Sequence, residues 1–280
     1  MRWLVLGATG LLGPAFVKAI HARGEMAITA ARRTADVLVD ISDEEALKQV
    51  LDTNKPDGVI NCAANIYVDK CEANPASAYL TNTRPLSTLA DWSRANAAPL
   101  LQISTDHYFT TGDDALHDES APVHLVNEYA RSKYLAEHLA LTSPHAIVLR
   151  TNIVGATKGH GKWVLDSLRS RSPMTLFMDF YASPIHINAM AANSLSLANR
   201  QAAGVFNMSS RNTASKGDFI YEVARFMNID PDWVVEGSGQ SLTTPRAMCL
   251  GLDVRKTESV LDHALPTLKD TAKALVEELG

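Results

Sequence analysis

Short apolar runs alternate with amphipathic stretches through the first 150 residues, and this rhythm constrains the fold more than any other feature of the chain. RWLVL, MAITAA, DVLVD, GVINCAA, LLQIS and HAIVLR are rich in Val, Ile and Leu. Continuous apolar runs of this length read as strands covered on both faces. Between them LLGPAFVKAIHARG, DEEALKQVLDTNK, NPASAYLTNTRPLSTLADWSRANA and LVNEYARSKYLAEHLAL read as helices, the second with Ser42 as its expected N-cap. Strand and helix in strict turn predict an α/β fold, a doubly wound parallel sheet with helices on both faces.

After Arg150 the alternation weakens. GATKGHGKW reads as a Gly- and Lys-rich loop, WVLDSLRSRS as a helix and MTLFM as a strand. HINAMAANSLSLANRQ reads as a helix, and GVFNMSS as a strand able to rejoin the main sheet. The tail from Asn212 carries two or three helices and short strands. The expected organisation is a dinucleotide-binding domain over 1–151 and about 184–210, with a smaller C-terminal substrate lobe over about 152–183 and 211–280. No flexible linker separates them, so the two are expected to share a cleft.

GATGLLG follows the first strand and opens the first helix, with Gly7, Gly10 and Gly13 spaced G-x-x-G-x-x-G. A sharp turn needs glycine's backbone freedom, close approach to a pyrophosphate needs a bare backbone, and the helix N-terminus then faces the phosphates. This is the Rossmann-type pattern, and it assigns Gly7, Thr9, Gly10, Leu11, Leu12 and Gly13 to a dinucleotide. The second strand ends in Arg32 and Arg33, where an NAD site carries an acid. Two guanidiniums suit a 2′-phosphate, so NADP, as NADPH, is preferred and NAD stays open as the alternative. Asp40 and Ile41, after the third strand, are placed beside the adenine.

Tyr129 stands four residues before Lys133 in an uninterrupted helical stretch, so the two share a face. Tyr134, Leu135 and Leu139 are expected to pack inward, with Tyr129 and Lys133 on a neighbouring stripe. LLQISTDHYF ends a strand at Ser104, which puts Ser104 and Thr105 at the carboxyl end of the sheet, where open α/β folds bind ligands.

Thr105, Tyr129 and Lys133 together with GATGLLG resemble the extended short-chain dehydrogenase/reductases, and the dTDP-4-dehydrorhamnose reductase branch in particular. VINCAANIYVDKCEANPASAYLTNT, STDHYF, the Asn127–Tyr129–Lys133 arrangement, VLRT, MDFYASP and TPRAMCLGLDVRKTESVL match that branch in order and spacing, over nearly the whole chain. The resemblance implies hydride transfer from NADPH to the C4 ketone of a nucleotide-linked 4-keto-6-deoxysugar. It makes Tyr129 the general acid, with Lys133 lowering its pKa and binding the nicotinamide ribose, and Thr105 the donor to the ketone oxygen. It further places Ala63, Ala64 and Asn82 at the cofactor and Val68, Asp106 and Asn152 near the substrate.

Several positions depart from that family's pattern. His107 replaces a Tyr expected to touch the sugar, and Ile153 replaces a Trp. Phe180 replaces a Gln, and Ile185 and His186 replace a Thr pair. These departures put the identity of the sugar in question. Among the cations Lys162, Arg169, Arg171 and Arg246, the preferred partners of a substrate diphosphate are Lys162 and Arg246. Trp163 either stacks on a base or anchors the lobe. Two rival readings stay open: an epimerase on the same scaffold, and a non-catalytic subunit resembling the regulatory subunit of methionine adenosyltransferase.

Composition narrows the remaining classes. The formal net charge is -5, with no long basic run, which argues against nucleic acid as partner. No apolar run is long enough to span a bilayer, and glycines interrupt the apolar start too soon for a leader. Cys62, Cys71 and Cys249 are too scattered for a disulfide framework and read as free thiols of a cytoplasmic protein. The histidines show no metal-ligand spacing, so no metal is expected. A homodimer is the expected assembly if the chain is not a monomer.

Overall fold

The computed structural model describes residues 1–279. They group into two compact units, one made of 1–105, 127–150 and 191–206, the other of 106–126, 151–190 and 207 onward.

The first unit is built on strands β1 (Arg2–Leu6), β2 (Met26–Ala31), β3 (Val37–Leu38), β4 (Gly58–Asn61), β5 (Leu100–Ile103) and β6 (Ala146–Arg150). Their order in the sheet is β6-β5-β4-β1-β2-β3, and every one of these pairs is parallel. The strand Gly204–Asn207 adds itself beside β6, as the sequence allowed. The order reverses between β1 and β4, the switch point at which such sheets leave a crevice outside the carboxyl ends of their strands. β4, β5 and β6 are buried throughout.

Helices α1 (Gly13–Ala22), α2 (Glu44–Asn54), α3 (Val68–Ala73), α4 (Pro75–Ala78), α5 (Pro85–Asn96) and α6 (Glu128–Ala140) connect the strands. A π-helical turn, Tyr79–Thr83, joins α4 to α5. The cap of α2 is Asp43, whose carboxylate accepts from Ala46 N at 3.0 Å. Ser42, the expected cap, donates its hydroxyl to Asp40 instead. The apolar core joins Leu4, Leu6, Val59, Leu86, Leu89 and Val148 to Ala136 and Ala140 of α6.

α6 presents a different face from the one expected. Tyr129, Ala130, Lys133, Ala136, Glu137 and Ala140 are buried, whereas Leu135 is 48% exposed and Tyr134 and Leu139 are half-buried. Three alanines let the helix approach its neighbours closely, and the large apolar residues fall on its flank. Tyr129 and Lys133 are therefore on the packed face itself.

The second unit holds three small sheets. Ile153–Val154 pairs with Ile185–His186, Tyr181–Ala182 lies between Ala214–Ser215 and Cys249–Leu250, and Thr175–Phe177 pairs with Val235–Gly237. Its core gathers Val164, Leu165 and Leu168 from the helix Gly159–Ser170 with Phe219, Val223 and Leu275. That helix starts inside the stretch read from sequence as a loop. Gly161 makes this possible, because a Cβ there would stand 2.5 Å from the Gly155 carbonyl oxygen. Segment 106–126 belongs to this unit. Phe109 O accepts from Cys249 N at 3.1 Å, His117 N donates to Gly251 O at 2.9 Å, and the Phe109 and His117 rings stack 4.2 Å apart.

Candidate active site

Gly7 follows β1 with φ +77° and donates its amide to Ala30 O at 2.9 Å. A Cβ on Gly7 would lie 2.7 Å from Ala63 N, and one on Gly13 would lie 2.5 Å from Ala8 Cα. The turn is thus pressed against the residues after β4, and α1 against the turn, with no room for side chains. Gly10 closes the turn onto Gly7 O at 2.9 Å. No side chain caps α1 at Leu12 and no acid occupies its first turn, so its N-terminal amides and dipole are left facing outward from the turn. Thr9 is exposed and Leu11 half-buried there. These features fit the pyrophosphate of a dinucleotide.

Arg32 and Arg33 follow β2 directly and are exposed. Asp40, after β3, is held below the usual carboxylate range by its hydrogen bonds from Ser42, with a smaller contribution from the Arg32 charge. Ile41 is buried in the core of this unit. On the other side of the switch point, Ala63 N donates to Asn61 Oδ1 at 3.2 Å, and Ala64 is half-buried. Asn82 sits in the π-helical turn and is buried. Its Oδ1 accepts from Asn65 N at 2.7 Å, and its Nδ2 donates to Asn65 O at 3.0 Å and Ser132 Oγ at 2.9 Å. Asn82 therefore clamps the loop after β4 to α6, a role the sequence did not disclose.

Asn127 caps α6, its Oδ1 accepting from Ala130 N at 2.9 Å. Tyr129 comes two residues later, 8% exposed, in a cluster with Val68, Cys71 and Ala78. Lys133 is 3% exposed, and its ammonium donates to Ile103 O at 2.6 Å. Burial lowers its pKa to about 8, against the pull of Glu137 in the opposite direction. Removal from water also raises the thiol pKa of Cys62 and Cys71, so neither competes as an anion. Ser104 N donates to Leu149 O at 2.7 Å, extending the ladder past β5 and delivering Thr105, buried, just beyond it. The Ser104 hydroxyl donates to Glu137 at 2.5 Å, toward the interior of this unit.

In the second unit a cavity of ≈ 630 Å³ is lined by aromatic and cationic side chains, among them His107, His160, Trp163, Phe180, Lys216 and Arg246. The Lys216 ammonium lies 3.4 Å from the centre of the Phe180 ring, a cation–π contact. Burial lowers the Lys216 pKa, with the Asp106 carboxylate opposing and Arg246 reinforcing the effect. His107 falls to about 3, through burial first and then the cations of Lys216 and Arg246. Its imidazole is therefore neutral, although Nε2 stands 3.8 Å from the Asp106 carboxylate. Asp106 is buried and accepts from Asn152 Nδ2 at 2.8 Å. Trp163 is 44% exposed and stacked with His160. Two cations beside apolar rings can hold an anionic group with an attached ring system.

The structure brings some of the residues singled out in the sequence to this cavity and not others. His107, Trp163, Phe180 and Arg246 line one cavity. Lys162 is not among its lining residues; its ammonium pairs with Asp166 one turn along the helix. Arg171 pairs with Asp232 and stacks on Trp233. Ile153 takes part in a strand pair with Ile185, His186 Nε2 lies 3.0 Å from Glu278, and none of the three is among the residues lining the cavity. Lys216 and His160 were missed. Lys216 opens a helix, where a cation opposes the helix dipole, and that opposition was a signal available in the sequence; His160 lies in a stretch read as a loop and gave no such signal. Among the described residues no cluster of His, Cys, Asp and Glu could hold a metal ion, and no helix is long and apolar enough to cross a membrane.

Over residues 1–280 the chain matches the family model described as RmlD substrate binding domain. A probable low-salt glycan biosynthesis reductase of Haloferax volcanii is 29% identical, the alignment covering 98% of this chain and 97% of that protein. A dTDP-4-dehydrorhamnose reductase of Streptomyces griseus is 28% identical over 94% of this chain and 86% of its own length. The crystal structure of dTDP-4-dehydrorhamnose reductase from Bacillus anthracis in complex with NADP superposes with a TM-score of 0.90 at 21% identity, covering 99% of each chain, a likeness of fold.

Proposed function

The chain belongs to the RmlD substrate binding domain family, and from that premise we propose that it is an NADPH-dependent reductase of a nucleotide-linked 4-keto-6-deoxysugar. The observation that carries this reading is the pairing of Tyr129 and Lys133 on the buried face of α6, with Lys133 fastened to the strand that leads into Thr105. The glycine turn and the uncapped start of α1 would hold the pyrophosphate, and Arg32 and Arg33 the 2′-phosphate. When bound, the dihydronicotinamide supplies a hydride to the ketone carbon. The Tyr129 phenol gives its proton to the ketone oxygen, so the carbonyl gains one hydride and one proton and becomes an alcohol. The ammonium of Lys133 stabilises the resulting phenolate until solvent returns the proton. The Thr105 hydroxyl donates to the oxygen as its charge develops.

Lys216 and Arg246 are the cations we assign to the substrate's diphosphate, with the aromatic side chains of the same cavity to cover its apolar parts. Naming reductases among the relatives supports the reaction class. The free cysteines support a reducing, cytoplasmic setting. The test is a panel of nucleotide-linked 4-keto sugars incubated with purified protein and NADPH, followed by loss of nicotinamide absorbance. Turnover of at least one member is expected. Inertness toward the whole panel, with NADPH bound, would refute the reading.

A further inference from the structure

Glu137 lies one turn beyond Lys133 on α6 and is 1% exposed. Its carboxylate accepts from Ser104 Oγ at 2.5 Å, from Arg150 Nε at 3.2 Å to each oxygen, and from a second guanidinium nitrogen at 2.9 Å. Ser104 directly precedes Thr105 at the end of β5, and Arg150 closes β6. A single carboxylate thus fastens α6 to two strand ends. Lys133 is attached to the same strand through Ile103 O. A buried ion pair returns little net stability compared with apolar packing of the same volume. Stability therefore does not account for placing this one between the residues proposed for the chemistry.

We propose that Glu137 is a positioning residue for the reduction: it holds Thr105 in register with Tyr129 and keeps Lys133 an ammonium. This rests on the reductase reading above. The charged and titratable groups acting on Lys133 are Glu137 on its own helix, Cys62 after β4 and Cys71 on α3, with Tyr129 one turn before it on α6. Both thiols are held protonated by removal from water. Glu137 is the carboxylate that opposes the desolvation of Lys133. Without it, Lys133 releases its proton at lower pH, and the buried Arg150 guanidinium, no longer neutralised, adds to the effect.

The test titrates Lys133 by NMR of ε-13C-lysine in the NADPH-bound protein, with the signal assigned by its loss in Lys133→Met. In Glu137→Gln the apparent pKa of Lys133 should fall by about one unit or more. The alkaline limb of kcat should move down with it, and kcat should drop at least about tenfold with KM nearly constant. A purely structural role predicts lower thermal stability with the Lys133 titration unmoved, and that result would overturn the proposal. Should Glu137→Gln not fold, Glu137→Gln/Arg150→Met removes both charges together. The Lys133 pKa should still fall, by less, and an unchanged value again refutes the idea. The titration needs no sugar, so it decides the role of Glu137 even if no keto sugar is reduced and the reductase reading fails.

Discussion

The Lys133 ammonium donates to the Ile103 carbonyl oxygen across 2.6 Å, tying α6 to the last residue of β5. The same oxygen accepts from Gln102 Nε2 at 2.8 Å. Removing the lysine nitrogen would therefore leave no unsatisfied acceptor behind. The ammonium, 3% exposed, is held at a pKa of about 8 against an ordinary 10.5, chiefly by burial. The folded state thus disfavours the charge that the proposed chemistry requires.

Lys133→Met should make the protein more stable and less active. The relief of the buried charge is on the order of 3 kcal/mol at pH 7. The sign follows from linkage. Below pH about 8 both folded and unfolded lysine are charged and the penalty is complete; from there toward 10.5 the folded state alone loses its proton and the penalty fades. Urea unfolding at pH 7 and pH 10 should show the advantage of the methionine variant shrinking with pH. An equal or lower stability at pH 7 would mean that the burial cost is compensated elsewhere.

The same value sets the pH dependence of turnover. If the ammonium stabilises the Tyr129 phenolate, activity should hold below pH about 8 and decline as the pH rises through it. A kcat profile flat from pH 7 to 10 would remove Lys133 from the mechanism.

The glycine turn, the alternation of strands and helices and the i,i+4 pairing of Tyr129 with Lys133 were legible in the sequence, because each depends on local pattern. GATGLLG announces a turn that no other residues could make, and the structure finds the space at Gly7 and Gly13 closed by Ala63 and Ala8. The buried face of α6 was misread, since apolar size suggested Leu135 while the close contact is made by Ala130, Ala136 and Ala140. Lys216 and Arg246 lie 30 residues apart, and only the folding of the second unit brings them to one cavity. Lys162 was preferred beside Arg246 in the sequence, yet its helix carries it to an exposed pairing with Asp166.

Arg32 and Arg33 should select NADPH over NADH. Both are exposed at the end of β2, and β2 ends without an acid. Changing both to Ala should weaken NADPH binding by roughly ten- to a hundredfold, as two charge-assisted phosphate contacts are lost, and leave NADH binding within a few-fold. Fluorescence titration with both cofactors checks this. Equal affinity for the two in the unaltered protein would contradict it.

Lys216→Met should raise KM for the nucleotide sugar with little change in NADPH affinity. Methionine keeps contact with Phe180 and removes the cation, so the loss reports charge recognition, roughly tenfold or more for one contact with a phosphate oxygen. His107 should also regain basicity, since Lys216 is one of the cations holding it near 3. Calorimetric titration with a nucleoside diphosphate separates the two ligands. Undiminished binding would place the diphosphate elsewhere.

The departures at His107 and Phe180, both in that cavity, lead us to expect slow reduction of dTDP-4-dehydrorhamnose compared with a related keto sugar. Competition between the two in one reaction mixture gives the ratio of kcat/KM directly, and a ratio favouring dTDP-4-dehydrorhamnose would show the departures to be neutral.

Tyr129→Phe removes one oxygen and keeps the ring in its cluster with Val68, Cys71 and Ala78, so folding and NADPH affinity should change little. Single-turnover hydride transfer to the best keto-sugar substrate, followed in the unaltered and Tyr129→Phe proteins, tests the central claim most directly. The account predicts a loss of roughly a hundredfold to ten-thousandfold in the transfer rate; transfer at the unaltered rate in Tyr129→Phe would contradict it.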